Sequence, residues 1–254
     1  MRTVGELARQ AVDAGAELVV FPEESMYARG VPGQPLAGVA ESLDGPFATH
    51  LRALASELGV TLAAGIYEQA PDDSKRVYNT IVVAQASGEL DSYRKLHLFD
   101  ALGNRESEHV TQGDGAPLTF DSDGIRVGIL NCYDIRFPEL ARLLIDDGAE
   151  LLVVCASWAD GRLKEDHWET LLRARAIENT CWVAAANQSS DSTVGRSMLI
   201  DPMGVVRFSL GEEREQLLIG EVDAARTAAV RALLPSINNR RFMVCEETSE
   251  EALT

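Results

Sequence analysis

The segment IRVGILNCYDIRFPELARLLIDDGAELLVVC, residues 125–155, holds one complete strand-helix-strand unit. Ile125 to Leu130 is a short apolar run of strand length. Pro138 to Asp147 places Leu140, Leu143 and Leu144 on one helical face and stops at Gly148, and Glu150 to Cys155 is a second apolar run. Neither run alternates with polar residues, the pattern of strands covered on both faces. The stretch DGAELLV at 147–153 has a near-copy, AGAELVV, at 14–20, so two helix-to-strand joints of similar geometry are expected, without a fixed-period repeat.

Working outward, Val4, Leu7, Ala8, Ala11 and Val12 share one helical face ending near Gly15, and Ala16 to Phe21 reads as a buried strand closed by Pro22. Phe47, Leu51, Leu54, Ala55 and Leu58 define a second helix capped by Gly59, followed by the strand VTLAAGIYE. The polar run PDDSKR, 71–76, separates that strand from Tyr78 to Ala84 as a hairpin, which predicts a mixed sheet. Further on, the pattern predicts a helix over 168–179 and strands at 182–186, 198–200, 205–208 and 217–222. The final CEETSEEALT, 245–254, is acidic and reads as a mobile tail. Alternating elements of this kind predict an α/β layered sandwich.

The chain has 254 residues, 46% hydrophobic and 25% charged, which suits one globular domain over 1–254. Forty acidic against 23 basic residues give a net charge of −17, unsuited to phosphate backbones or anionic lipid surfaces, so neither nucleic acid nor membrane is an expected partner. No apolar run approaches the ~20 residues of a bilayer span, and Arg2, Glu6, Arg9 and Asp13 fall where a signal peptide needs an apolar core. Cys132, Cys155, Cys181 and Cys245 form no CxxC pair, and the four histidines have no ligand spacing. A cytoplasmic protein without metal or cofactor is expected.

GxSxG, GxxxxGK and HExxH are all absent. Cys132 lies between a strand and a helix, at the carboxyl edge where open α/β sheets bind ligands, and a helix N-terminus there favours a thiolate. By residue type alone it reads first as a small buried core thiol, the commoner fate of a free cysteine and the reading that fits Cys155 and Cys181. Glu23, in FPEES, also ends a strand, where desolvation is expected to raise its pKa and suit it to act as a base; a helix-cap role is the alternative. The chain has three lysines against twenty arginines, yet keeps Lys95 in YRKLHLF. That choice suits a compact point charge, or chance use on a solvated loop.

FPE at 21–23, YRKLHLF at 93–99, RES at 105–107 and NCYDIRFPEL at 131–140 together resemble the nitrilase, or carbon-nitrogen hydrolase, superfamily. The resemblance continues through 167–188 and 195–204 and is similar to the branch of amidases that cleave deaminated glutathione or ω-amides of keto-dicarboxylic acids. It implies a four-layer αββα sandwich with two mixed sheets and a face-to-face homodimer. It also implies Glu23 as general base, Lys95 as the cation beside the tetrahedral intermediate, Cys132 as nucleophile and Glu106 as a second carboxylate positioning Lys95.

Tyr133, through its backbone amide, and Trp158, as a pocket wall, are the expected substrate contacts; a packed core indole is the alternative for Trp158. The implied reaction is hydrolysis of a small carboxylated amide through a thioester, with release of ammonia. A nitrilase, an N-carbamoyl amino acid hydrolase or a catalytically silent interaction homologue are the alternatives. Asp134 and Arg136 are expected to form a structural ion pair bracing the nucleophile turn, and Arg173, Arg175 and Glu178 to enter buried or interfacial ion pairs. Members of the superfamily open with a strand ahead of the first helix; here it is missing, and the expectation is a misassigned start.

Overall fold

The computed structural model describes residues 1–28 and 35–245. Helix α1 (Arg2–Asp13) leads into β1 (Leu18–Val20); α2 (Pro46–Leu58) leads into β2 (Thr61–Gln69), which turns back through β3 (Val77–Ala84) and β4 (Leu90–Arg94). These strands form one sheet in the order β1-β2-β3-β4, with β1 parallel to β2 and the other neighbours antiparallel.

The second half begins with β5 (Thr119–Ser122), β6 (Ile125–Asn131), α3 (Pro138–Asp146), β7 (Leu151–Ala156), α4 (Lys164–Asn179) and β8 (Trp182–Asn187). A small hairpin, β9 (Ser189–Ser190) and β10 (Thr193–Val194), precedes β11 (Met198–Ile200), β12 (Val206–Ser209) and α5 (Ala224–Leu233). Six of these strands form a sheet in the order β12-β11-β8-β7-β6-β5, parallel at its centre and antiparallel at both edges.

Strand alternation sorts the core into layers. On β2 and β3, Leu62, Ala64, Val82 and Ala84 pack against Phe47, Leu51 and Leu54 of α2 and Ala8 of α1. The intervening Ala63, Ile81 and Val83 turn the other way and join Val127 and Ile129 of β6. Leu140 and Leu144 of α3 and Leu172 of α4 close the far side of that second sheet. The result is the four-layer αββα sandwich with two mixed sheets.

The two similar joints share their backbone geometry: Gly15 and Gly148 have φ of 91° and 93°, a conformation that residues with a Cβ rarely adopt. Two expectations need correction. Residues 217–222 form no strand, because an apolar run becomes one only by pairing, and Leu217 and Leu218 pack side chains on the core without a ladder. Helix α4 begins at Lys164, four residues ahead of the predicted start.

Helix α5 was unforeseen; Asp223 caps it by accepting the Ala225 amide at 2.8 Å. Along β1, an edge strand, runs an open cavity of about 950 Å³ whose walls include Val4, Leu7, Val20, Leu217 and Leu218. Among the described residues no helix is long and apolar enough to cross a membrane. The acidic tail falls, apart from Cys245, outside the described residues.

Candidate active site

Three of the expected site residues arrive at strand ends. Phe21 continues the pairing of β1 with β2, its amide donating to Ala63 O at 2.8 Å, and Glu23 stands two residues beyond. The chain there passes so close to β2 that a Cβ on Gly65 would come within 1.7 Å of the Glu23 carbonyl oxygen, so only glycine fits. Lys95 follows β4 directly, with its amide bonded to Asn79 O at 2.9 Å. Cys132 follows β6 and opens a 3₁₀ turn, Cys132–Arg136, while Glu106 opens another, Glu106–Glu108.

The structure brings Glu23, Lys95, Glu106 and Cys132 together. Lys95 Nζ lies 2.9 Å from Glu23 Oε1 and 3.0 Å from each Glu106 oxygen, with all three side chains at most 5% exposed. The other Glu23 oxygen accepts the Ser157 amide at 2.8 Å, and Glu106 accepts the Phe99 amide at 2.7 Å. Asn79 joins the two carboxylates, its Nδ2 donating to Glu23 Oε1 at 2.7 Å and Glu106 Oε1 at 3.1 Å. Its Oδ1 accepts Asn131 Nδ2 at 2.9 Å, which ties the carboxylates to the residue before Cys132.

Cys132 has φ of 50°, in the left-handed region that costs a residue with a Cβ roughly 1–2 kcal/mol. Buried Asp134 holds the turn in that shape. Its Oδ2 accepts the Asn131 amide at 3.0 Å and the Tyr93 hydroxyl at 2.7 Å, and its Oδ1 accepts the His97 amide at 3.1 Å and contacts His97 Nδ1 at 2.8 Å. The expected Asp134–Arg136 ion pair does not form, because Asp134 is saturated by these donors. Arg136 instead lies against the rings of Trp158 and Tyr133 and donates to His167 Nδ1 at 3.4 Å. Arg175 does pair with Glu178, and its Nε reaches Ile135 O at 2.9 Å, buttressing the same turn from α4.

Burial pushes the Glu23 carboxyl up, but the Lys95 charge and the donated hydrogen bonds outweigh it and hold the pKa below the usual carboxylate range. This corrects the expectation of a raised pKa, which considered desolvation alone. Burial and the negative Glu23, only partly offset by Lys95, push the Cys132 thiol well above its ordinary value, so the resting sulfur keeps its proton and the short 3₁₀ turn does not deliver a thiolate. Burial also works against the Lys95 charge, but Glu106, Glu23 and Cys132 raise its pKa well above the usual amine value. At rest the site holds a carboxylate, an ammonium and a neutral thiol that interacts with the carboxylate.

Beside this cluster stands an aromatic wall. Trp158, fully buried, follows Ser157 on the loop that holds Glu23, and donates its Nε1 to Lys164 O at 2.9 Å. Tyr133, next to Cys132, lies with its ring centroid 4.9 Å from Phe99 and 5.3 Å from Phe137. Lys164 reaches over this wall, its Nζ 4.2 Å from the Trp158 ring and 4.7 Å from the Phe99 ring.

Sequence reasoning missed Asn79 and Lys164. A lone amide inside the apolar strand VYNTIVVA was the signal for the first. A third lysine in an arginine-rich chain was the signal for the second. Among the described residues, no group of three or more His, Cys, Asp or Glu is arranged to hold a metal ion.

A buried Glu-Lys-Cys cluster at strand ends of two facing sheets invites comparison with known proteins. Residues 1–232 match the carbon-nitrogen hydrolase family model. A hydrolase of Mycobacterium tuberculosis H37Rv is 40% identical over 96% of this chain and 91% of its own length. The deaminated glutathione amidase of Escherichia coli O157:H7 is 38% identical over 93% of this chain and 89% of its own. A carbon-nitrogen hydrolase superfamily protein of Xanthomonas campestris, solved with an arsenic adduct in its active site, superposes with a TM-score of 0.83 at 30% identity, covering 96% of this chain and 91% of that one. Sequence match, layered architecture and the strand-end placement of these side chains lead to one conclusion: this chain belongs to the carbon-nitrogen hydrolase family.

Proposed function

We propose that the protein is an amidase that hydrolyses the C–N bond of a small carboxylated amide through a thioester on Cys132. The observation that carries this reading is the single ammonium of Lys95, held by two buried carboxylates beside a thiol on a strained turn. Acyl transfer needs each of these groups: a nucleophile, a base and a positive charge near the developing oxyanion. The name of the similar Escherichia coli protein supports an amide substrate.

Glu23 takes the proton from Cys132 as the sulfur bonds to the amide carbonyl carbon. The oxyanion is stabilised by Lys95 Nζ and the Tyr133 backbone amide. Before substrate arrives, Glu23 is a weak base, because Lys95 lies 2.9 Å away. An oxyanion that draws on the Lys95 charge loosens this hold and raises the basicity of Glu23 at the moment it must accept a proton. Collapse of the intermediate breaks the C–N bond; Glu23 returns the proton to nitrogen, and ammonia leaves.

Water then attacks the thioester, giving its proton to Glu23. The second collapse breaks the C–S bond, the carboxylic acid product departs, and the proton returns to sulfur. Glu106 and Asn79 position Lys95 and Glu23 throughout, while Tyr133 and Trp158 flank the substrate. Family resemblance supports a homodimer, and four cysteines without a CxxC pair suit a reducing cytoplasm.

Ammonia release is the test, measured on α-ketoglutaramate, deaminated glutathione, simple aliphatic amides, nitriles and N-carbamoyl amino acids with wild type and Cys132→Ala. The expected result is preferential turnover of the carboxylated amides and loss of all turnover in the variant. Preference for nitriles or carbamoyl compounds selects one of those activities instead. Activity that survives Cys132→Ala removes the nucleophile, and a wild type inactive on every compound contradicts the amidase reading.

A further inference from the structure

Lys164 and Arg136 are two cations that share one indole. Lys164 is 5% exposed, with Nζ 4.2 Å from the Trp158 ring, and the Arg136 guanidinium carbon lies 4.8 Å from the same ring. Among the described residues neither cation has a carboxylate partner. Glu165, adjacent to Lys164, turns away to Arg196 at 3.6 Å, and Arg136 has only a 3.4 Å bond to His167.

Such an arrangement is costly on its own. Two like charges repel, aromatic faces offset this only in part, and Lys164 stands in the first turn of α4, where the helix dipole disfavours a cation. Burial and the neighbouring Arg136 both lower the Lys164 pKa, whereas negative charge on Cys132 raises it, which puts the ammonium within electrostatic reach of the nucleophile. Three other buried charged groups have counter-ions: Lys95 has Glu23 and Glu106, Glu68 has Arg94, and Asp201 has Arg226. The missing element at Lys164 is an anion.

The wall is also tied to the reacting groups. Trp158 follows the residue whose amide holds Glu23, Tyr133 follows Cys132, and Phe99 gives its amide to Glu106. These contacts set the Trp158 ring, and with it Lys164 and Arg136, next to the residues that flank Cys132 and Glu23.

We propose that Lys164 and Arg136 together form the subsite that binds the substrate's carboxylate, and so select amides that carry an anionic group a short chain away from the scissile bond. This assignment rests on the amidase reading for its substrate, but it concerns binding and is testable without turnover.

The test compares kcat/KM for glutaramate with that for valeramide, a neutral amide of equal chain length, in wild type, Lys164→Met and Arg136→Met. Removing one charge-assisted contact is expected to lower the glutaramate-to-valeramide ratio by about 30-fold in each variant, chiefly through the glutaramate KM. A ratio that stays within about twofold of wild type overturns the proposal, whether both substrates decline together or neither does.

Binding of glutarate to Cys132→Ala, by calorimetry, gives a readout independent of chemistry. Glutarate is expected to bind that protein and to lose the binding when Lys164→Met is added; absence of binding to Cys132→Ala, or binding unaffected by Lys164→Met, overturns the subsite. Should wild type release no ammonia from any amide while glutarate still binds through Lys164, the amidase reading falls and the anion subsite stands.

Discussion

Lys95 and Lys164 are both buried near Cys132, yet their surroundings are opposite. Lys95 has two carboxylates within 3.0 Å, an amide bridge between them through Asn79, and a raised pKa. Lys164 has aromatic faces, a neighbouring arginine and a lowered pKa. A compensated buried charge is part of the resting protein's structure, whereas an uncompensated one makes the free protein less stable and becomes favourable only when an anion arrives. In the proposed reading the two lysines divide the labour: one serves the reacting carbonyl, the other a distant part of the substrate.

Removing each charge breaks this comparison in a different way, and Lys95→Met has the largest expected effect. It leaves Glu23 and Glu106 buried without their counter-ion, which costs roughly 3–5 kcal/mol of stability, and it removes the oxyanion's cation, lowering kcat by about 1,000-fold. Denaturant unfolding and ammonia release check the two parts. Unchanged stability means that Lys95 is not the group balancing the carboxylates.

Glu23→Gln comes next, with a loss of about 100- to 1,000-fold in kcat/KM for want of a general base. It also carries a pH signature. Glu23 has a lower pKa in the folded protein than the ordinary value of about 4.3, so its contribution to stability is complete above that value and is lost as pH falls through the folded pKa. The pH dependence of unfolding in wild type, minus that in Glu23→Gln, is expected to show this loss on the acid side. A loss centred above pH 4.5 means that desolvation wins and the residue carries a raised pKa.

The smallest effect, and the one of opposite sign, belongs to Lys164→Met. With no carboxylate to orphan, the free variant is expected to melt at or slightly above the wild-type temperature, and to lose the stabilisation that wild type gains from added glutarate. A substantial drop in Tm without ligand means that Lys164 braces the fold and has no need of an anion.

Much of the fold was legible because periodicity is local. The apolar face from Phe47 to Leu58 and the following Gly59 specify α2 and its cap from adjacent residues alone, and Gly59 has φ of 70° as that role requires. The run at 217–222 misled for the same reason: its composition suits a strand, but pairing depends on a neighbour that sequence does not reveal. The start of α4 was hidden because KEDH is polar all around, leaving Trp168 as the first apolar mark.

At the candidate site, residue types at strand ends were legible and their electrostatics were not. The Glu23 pKa is set by Lys95, 72 positions away, and by Asn79, 56 away, so a prediction from burial alone gets the direction wrong. The family motif implies an Asp134–Arg136 pair, yet Tyr93 and His97, drawn in from the other sheet's last strand and the loop after it, satisfy Asp134 first. Asn79 sits in an apolar strand, and its value to the site exists only in three dimensions.

The central claim is that the Cys132 sulfur forms a covalent bond to the substrate's acyl carbon. Rapid acid quench during turnover of α-ketoglutaramate, followed by peptide mass spectrometry, tests this directly. An adduct with the mass of the acyl group, the substrate less ammonia, is predicted on the peptide containing Cys132, and none on those containing Cys155 or Cys181. Ammonia released steadily from substrate with Cys132 never modified would contradict the account.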